Sequence, residues 1–240
     1  MNKDLIKKRF SRKLSSYDDN AKIQKQMAEN LLNFVTQSDV NSVLEVGCGT
    51  GLLTAIAKEK FNFKEYIAVD IVPECGEYIK KINPKAKFIP CDIENYIDNS
   101  EQFDLIISNA SLQWVENLPN IVDKLFQKLN PNGTLIFSAF GTENYREIYY
   151  VLGKTLKYFS KRELEQIFSK YNLLVEEEIR VMAFKTPKDV LKHIQSTGVN
   201  ALTTEVWTKK DLVDFETEYN TYCAGHPTLT YHPVYVKIQK

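Results

Sequence analysis

The sequence predicts a doubly wound α/β fold: a seven-stranded, mostly parallel sheet with an antiparallel last strand and helical inserts. Three observations predict it. Short apolar runs recur through the first 140 residues, and each ends in Gly, Asp or a small polar residue. Helix-length segments separate them, as βαβ units require. The first run enters a turn with glycine at alternate positions, Gly47, Gly49 and Gly51, as strand-to-helix turns at a ligand crevice do.

The elements follow in order. Residues 1–36 form an N-terminal helical cap, with Tyr17, Ala21, Gln24, Ala28 and Leu31 spaced four, three, four and three apart on one helical face over 16–36. Tyr17 and Gln24 have polar tips, so this face suits packing and ligand contact alike. Residues 40–140 form the binding core. A strand from Val43 leads through the glycine turn to a helix over 52–60. A second strand ends at Asp70, a helix covers 73–82, a third strand reaches Cys91 and a fourth ends at Asn109. A helix over 117–129 precedes the turn Asn130-Pro131-Asn132-Gly133 and a fifth strand, Thr134–Ala139. Helical inserts over 141–172 and 187–220 flank a strand over 174–184. Alternating Leu229 to Ile238, within a last segment 229–240, predicts an antiparallel final strand, with Pro233 marking an edge position or an irregular start. No linker or repeat interrupts the chain, so the whole of 1–240 reads as one domain.

The glycine turn narrows the ligand. A dinucleotide fingerprint wants its third glycine where Leu52 stands, because the pyrophosphate sits on that helix N-terminus. Here the third glycine comes one residue early. Acidic Glu45, two residues before Gly47, suits a cation better than a phosphate, and Cys48 supplies only a small side chain within the turn. Asp70 ends the second strand about 20 residues on, where a carboxylate accepts from ribose hydroxyls. Asp92 follows the third strand, placed for an adenine amino group. A nucleoside with positive charge and no phosphate fits, and S-adenosylmethionine is the common one. A purely structural turn would not explain four strands that each end in a residue suited to one part of one ligand.

Order and motifs over 40–140 resemble the class I S-adenosylmethionine-dependent methyltransferases, whose sheet is Rossmann-like. Further segments resemble the malonyl-[acyl-carrier protein] O-methyltransferases of early biotin synthesis, the BioC family. They are Phe10 through Tyr17-Asp18, Gln24-Lys25-Gln26-Met27-Ala28, Ser108-Asn109-Ala110-Ser111-Leu112-Gln113-Trp114, His193 through Thr197-Gly198-Val199-Asn200-Ala201, and Leu229-Thr230-Tyr231. The Ser108–Trp114 run also occurs in aconitate methyltransferases. The resemblance implies a methyl donor, S-adenosyl-L-methionine, with S-adenosyl-L-homocysteine as product, and a malonyl group on acyl carrier protein as acceptor. It implies Glu45, Gly47, Gly49 and Gly51 at the methionine end, Asp70 with Ile71 at the ribose, Asp92 and Ile93 at the adenine, and Asn109 beside the sulfonium. Tyr17 and Gln24 would cover the cofactor.

A malonyl carboxylate is ionised at neutral pH, so transfer to it needs no general base. The sequence accordingly offers no catalytic dyad. His193, His226 and His232 are each candidate bases for a hydroxyl or thiol acceptor, though such lone histidines are commonly structural. Arg146 is the candidate clamp for a carboxylate, being able to pair bidentately, or is a plain helix charge. Gln113 and Trp114 are candidate walls of the acceptor pocket. Lys154, Lys157, Lys161 and Arg162 would form a docking patch for an acidic carrier protein, diluted by Glu163 and Glu165.

Composition bounds the rest. With 31 basic and 31 acidic residues, formal net charge is zero, which argues against nucleic-acid binding. No apolar run approaches bilayer length. The basic N-terminal stretch lacks the apolar segment of a secretory signal, and four cysteines without metal or redox spacing fit reduced thiols in the cytoplasm. No metal site is expected. Competing readings are a methyltransferase of a free carboxylic acid or phenol, a nicotinamide-dependent oxidoreductase, and a cofactor-binding subunit without turnover.

Overall fold

The computed structural model describes residues 3–37, 39–154, 156–197 and 207–240. Three helices, α1 (Lys3–Ser11), α2 (Leu14–Asn20) and α3 (Lys22–Asn33), precede β1 (Ser42–Val46). The expected single helix over 16–36 is therefore broken. At Ala21 ψ turns to 41°, and its N–H closes α2 on the Tyr17 carbonyl. Then follow α4 (Leu52–Lys60), β2 (Glu65–Asp70), α5 (Cys75–Ile82), β3 (Lys87–Pro90), the short α6 (Ile93–Tyr96), β4 (Phe103–Asn109), α7 (Leu118–Gln127) and β5 (Leu129–Phe140). Asn117 caps α7 by accepting from the Asn120 N–H at 3.1 Å, with proline in the first turn. The residues expected as a turn, 130–133, instead form the irregular start of β5, whose register against β4 shifts between Phe103 and Leu105.

Beyond β5 come α8 (Arg146–Leu152), α9 (Lys161–Ile167), β6 (Asn172–Glu177), β7 (Arg180–Ala183), α10 (Pro187–Ser196), α11 (Lys209–Tyr222), β8 (Thr228–Tyr231) and β9 (Pro233–Gln239). The main sheet runs β3-β2-β1-β4-β5-β9-β6, parallel except for β9, which is antiparallel to both neighbours. The seven-stranded expectation holds, with β9 interior, so Pro233 marks an irregular start and not an edge.

Two expected strands are each split in two. Glu178 ends β6, where its carboxylate accepts from Tyr235 Oη at 2.6 Å, Asn30 Nδ2 at 3.1 Å and the Arg180 guanidinium at 2.7 Å. His232 separates β8 from β9: its Nδ1 accepts the Glu143 N–H at 3.0 Å, and its Nε2 lies 3.0 Å from Glu177 Oε2. The freed segments, β7 and β8, pair as a separate two-stranded ribbon.

Alternation along the strands feeds two cores. Val43, Leu105 and Ile107 face Met27, Leu31, Leu53, Ala57 and Ile79 of α3, α4 and α5. Leu44, Val46 and Ile106 face Ile121, Val122 and Leu125 of α7, and Leu164 and Phe168 of the α9 region. The binding crevice lies where β1, β2 and β4 end.

Candidate active site

A deep cleft of about 1180 Å³, counted with its open mouth, lies beyond the carboxyl ends of β1, β2 and β4. Its floor is the glycine turn. Gly47 has φ +69°, and a Cβ there would lie 1.9 Å from Ser111 Oγ, so the turn and the segment after β4 meet only because Gly47 has no side chain. The Gly47 and Cys48 N–H groups donate to the Val69 carbonyl at 2.8 and 3.2 Å, tying the turn to the end of β2. Asp70 receives the Gly49 N–H on one oxygen and the Val72 N–H on the other, both at 2.9 Å. Burial nonetheless raises its pKa above the ordinary carboxyl value.

Glu45 is the second buried carboxyl group of the cleft. Burial lifts its pKa to about 7, although Thr54 Oγ1 and Tyr66 Oη both donate to its Oε2 at 2.5 Å. Its Oε1 is buried without a partner among the described residues. So are the side-chain carbonyl oxygens of Gln24 and Gln113, and all three residues line this cleft. Three buried acceptors without donors are costly unless a ligand supplies N–H or O–H groups. An ammonium carries three donors and a positive charge, and Glu45 supplies the balancing negative charge. The acceptor set therefore fits the methionine end of S-adenosylmethionine.

Among the expected site residues, Tyr17, Gln24, Glu45, Gly47, Cys48, Gly49, Asp70, Ile71, Asp92, Ile93, Asn109, Gln113 and Trp114 line the cleft. Two do not. Gly51 has φ +86°, and a Cβ on it would meet Ile82 Cδ1 at 2.4 Å. It is needed where α4 packs against α5 and not at the ligand. Arg146 lies half-exposed at the start of α8, 3.7 Å from Glu143 Oε2 and 4.0 Å from Glu147 Oε1, and so is no clamp in the cleft. None of the three histidines lines the cleft either.

Two further expectations change in detail. Asp92 is not a free carboxylate: one oxygen caps α6 by accepting the Glu94 N–H at 3.0 Å, and the other lies 2.6 Å from Lys3 Nζ. Asn109 is held at both ends, its amide donating to the Gln24 backbone carbonyl at 2.9 Å while Ser138 Oγ donates to its Oδ1 at 2.6 Å. Both residues still form wall.

Sequence reasoning expected a helical cap over the cofactor but did not single out the α1 residues that form its roof. Lys3, Ile6 and Phe10 of α1 line the cleft, together with Ser111, Phe140 and Thr197. Residues 3, 6 and 10 share one helical face, so the signal was present but masked by the charges around it. Lys3 also pairs with Glu94, Phe10 meets Tyr17 edge-on with centroids 5.0 Å apart, and Thr50 Oγ1 donates to Asp18 at 2.5 Å. The segments near His193 and Tyr231 meet beside the roof, with His193 Nε2 2.7 Å from Tyr231 Oη and Tyr145 Oη donating to Tyr231 at 3.3 Å. Gly198 to Ala201, the remainder of that sequence feature, lie outside the described residues.

The expected docking residues lie elsewhere. Lys161 and Arg162 begin α9, which packs on β6 at the sheet edge remote from the cleft, and Lys161 lies 3.7 Å from Glu176. Lys157 stands over the Phe159 ring, and Lys154 has interactions of its own. No described helix is long and apolar enough to cross a membrane.

Comparison with known proteins agrees with this geometry. Residues 20–178 match a family model described as a methyltransferase domain. The chain is 35% identical to a malonyl-[acyl-carrier protein] O-methyltransferase of Calditerrivibrio nitroreducens, covering 98% of this chain and 96% of that protein. It is 32% identical to the protein of the same name from Acinetobacter baylyi, over 98% and 96%. The N-methyltransferase NodS of Bradyrhizobium japonicum, crystallised with S-adenosyl-L-homocysteine, superposes with a TM-score of 0.56 at 14% identity over 98% of both chains, a likeness of fold. On the matched domain and the end-to-end similarity, this chain belongs to the methyltransferase-domain family and groups within it with the malonyl-[acyl-carrier protein] O-methyltransferases.

Proposed function

We propose that this protein is a cytoplasmic, S-adenosylmethionine-dependent O-methyltransferase that esterifies the free carboxylate of a malonyl thioester on acyl carrier protein, early in biotin synthesis. The observation that carries the cofactor half is the trio of buried, donorless oxygens on Gln24, Glu45 and Gln113 around one cleft. The acceptor half rests on relatives that match along nearly their whole length.

The bound cofactor supplies an activated methyl group on a sulfonium. The residues of the chain do the rest by binding and positioning. Glu45, Gln24 and Gln113 would accept from the ammonium, while Asp70 and Ile71 would receive the ribose. Asp92 and Ile93 would flank the adenine, and Asn109 would stand beside the sulfonium. The acceptor carboxylate is already ionised near neutral pH, which agrees with a cleft whose lining holds no histidine. Orientation alone is worth up to about 7–11 kcal/mol for a well-aligned displacement.

Lys3 is the cleft's only lining cation among the described residues, and Asp92 and Glu94 already hold it. A carboxylate would therefore meet neutral donors: the Tyr17 phenol, the Ser111 hydroxyl and the Trp114 indole. Burial raises the Tyr17 pKa, with Asp18 adding to the shift, so the phenol stays a protonated donor at neutral pH. Neutral donors orient a carboxylate without neutralising it, as a guanidinium would.

Transfer of labelled methyl from S-adenosylmethionine tests the reading, with malonyl-acyl carrier protein, malonyl-coenzyme A and free dicarboxylic acids as acceptors. A base-labile label on the carrier protein supports it. Label only on free acids or phenols would replace the acceptor while keeping the cofactor. Absence of S-adenosylhomocysteine binding by calorimetry would remove both.

A further inference from the structure

We infer that the outer face of α1 is the docking surface for the acidic carrier protein, in place of the lysines of the inserts. The inference rests on the acceptor proposed above. Three observations carry it: where the charge is concentrated, what already neutralises it, and what lies beneath it.

The chain as a whole is neutral, yet residues 3–13 hold Lys3, Lys7, Lys8, Arg9, Arg12 and Lys13 against Asp4 alone. Lys3 points inward and is paired with Asp92 and Glu94. Lys7, Lys8 and Arg12 are exposed and Lys13 is half-buried; none of the four makes an ion pair among the described residues. The neighbouring carboxylates are few. Glu74 accepts from Ser11 Oγ at 3.0 Å and feels Lys7, and Asp18 is taken by Thr50. A cluster of like charge without internal partners costs stability through self-repulsion, so it suits a partner of opposite charge.

The placement then selects the partner. α1 buries no residue of its own, yet Lys3, Ile6 and Phe10 roof the cleft. At 100° per residue, Lys8 stands on the side of α1 opposite Lys3, Ile6 and Phe10, facing away from the cleft, and Arg12 is exposed in the turn that follows the helix. A carrier seated on that face would lie at the cleft mouth, where a pantetheine arm can enter. α9 cannot serve in this way. It packs on β6 three strands beyond β4, and its Leu164 belongs to the core on the other face of the sheet from the α1 side.

The test compares wild type with the variant Lys7→Glu/Lys8→Glu/Arg12→Glu/Lys13→Glu, using malonyl-acyl carrier protein and malonyl-pantetheine, the same arm without the carrier. The carrier KM should rise about tenfold or more at low salt, while kcat/KM on malonyl-pantetheine stays within about twofold of wild type. Wild-type carrier KM should also rise with salt, more steeply than that of the variant. Should the fourfold variant fail to fold, Lys8→Gln/Arg12→Gln reads the same split at smaller size. An unchanged carrier KM overturns the inference, as does a parallel loss on both substrates, which would make α1 only a cofactor roof. So does a KM rise confined to Lys161→Glu/Arg162→Glu, which would return the dock to α9. A wild-type enzyme inactive on the carrier yet active on free acids would instead overturn the acceptor reading itself.

Discussion

At the scale of single residues, Glu45 couples ligand binding to pH. Its raised pKa, about 7, means the empty cleft holds a largely neutral carboxyl below that pH. A cationic ligand favours the ionised form, so affinity for S-adenosylhomocysteine should climb between about pH 6 and 8 and then level off. The protein alone behaves in the opposite sense. A carboxyl with a raised folded pKa stabilises fully below its unfolded value of 4.5 and loses that contribution as pH rises through about 7. Calorimetry in buffers of different ionisation enthalpy should register proton release on binding near pH 6.5. Glu45→Gln should abolish that release and weaken binding about 10–100-fold, the worth of one hydrogen bond to a charged group. The glycines separate along a different line. Gly51→Ala meets Ile82 at φ +86° and should cost about 1–3 kcal/mol of stability while leaving cofactor affinity within a few-fold. Gly47→Ala drives Ser111 out of place and should abolish binding. A glycine fingerprint marks all three alike in the sequence, because it records a missing Cβ and not the atom that needs the space.

Among elements, the strands of the binding core were legible because each announces its end locally, with glycines after Val46 and with Asp70 or Asn109 at the strand end. The breaks within longer patterns were not legible. The chain parts at Glu178 and His232 because side chains from distant strands and loops, Tyr235, Asn30 and Glu143 among them, claim those residues. Periodicity carries no trace of such partners. The α1 roof escaped notice for a related reason: its inward face is three residues wide, and its worth depends on what lies 89 positions away. Lys3 reaching Asp92 is that contact. It is partly exposed, so Lys3→Ala should weaken cofactor binding by no more than about fivefold. Dissociation should account for most of the change, because the roof opens more often. Stopped-flow displacement of bound S-adenosylhomocysteine measures the off-rate, and hydrogen exchange should show faster labelling in α1 with β1 and β4 unchanged. Equal protection of α1 in both proteins would mean that Ile6 and Phe10 hold the roof without the latch.

For the whole molecule, the last seven strand residues matter more than their position at the end of the chain suggests. β9 lies between β5 and β6 and pairs in register with both, Val236 opposite Phe137 on one side and Val175 on the other. β6 has no other partner in the sheet. Val234, Val236 and Ile238 are wholly buried, and burying each is worth about 1.5–3 kcal/mol. Together these three side chains contribute about 4.5–9 kcal/mol, which is comparable to the entire net stability of an ordinary domain, about 5–15 kcal/mol. Deleting residues 233–240 would also strand the inner backbone groups of β5 and release Glu177 and His232 from each other. The deletion should therefore abolish the cooperative thermal transition followed by circular dichroism, and not merely lower its midpoint. A surviving cooperative melt that retains S-adenosylhomocysteine binding would show that β1 to β5 fold alone. In that case the β6–β9 half would be an attachment to the cofactor site and not part of its foundation.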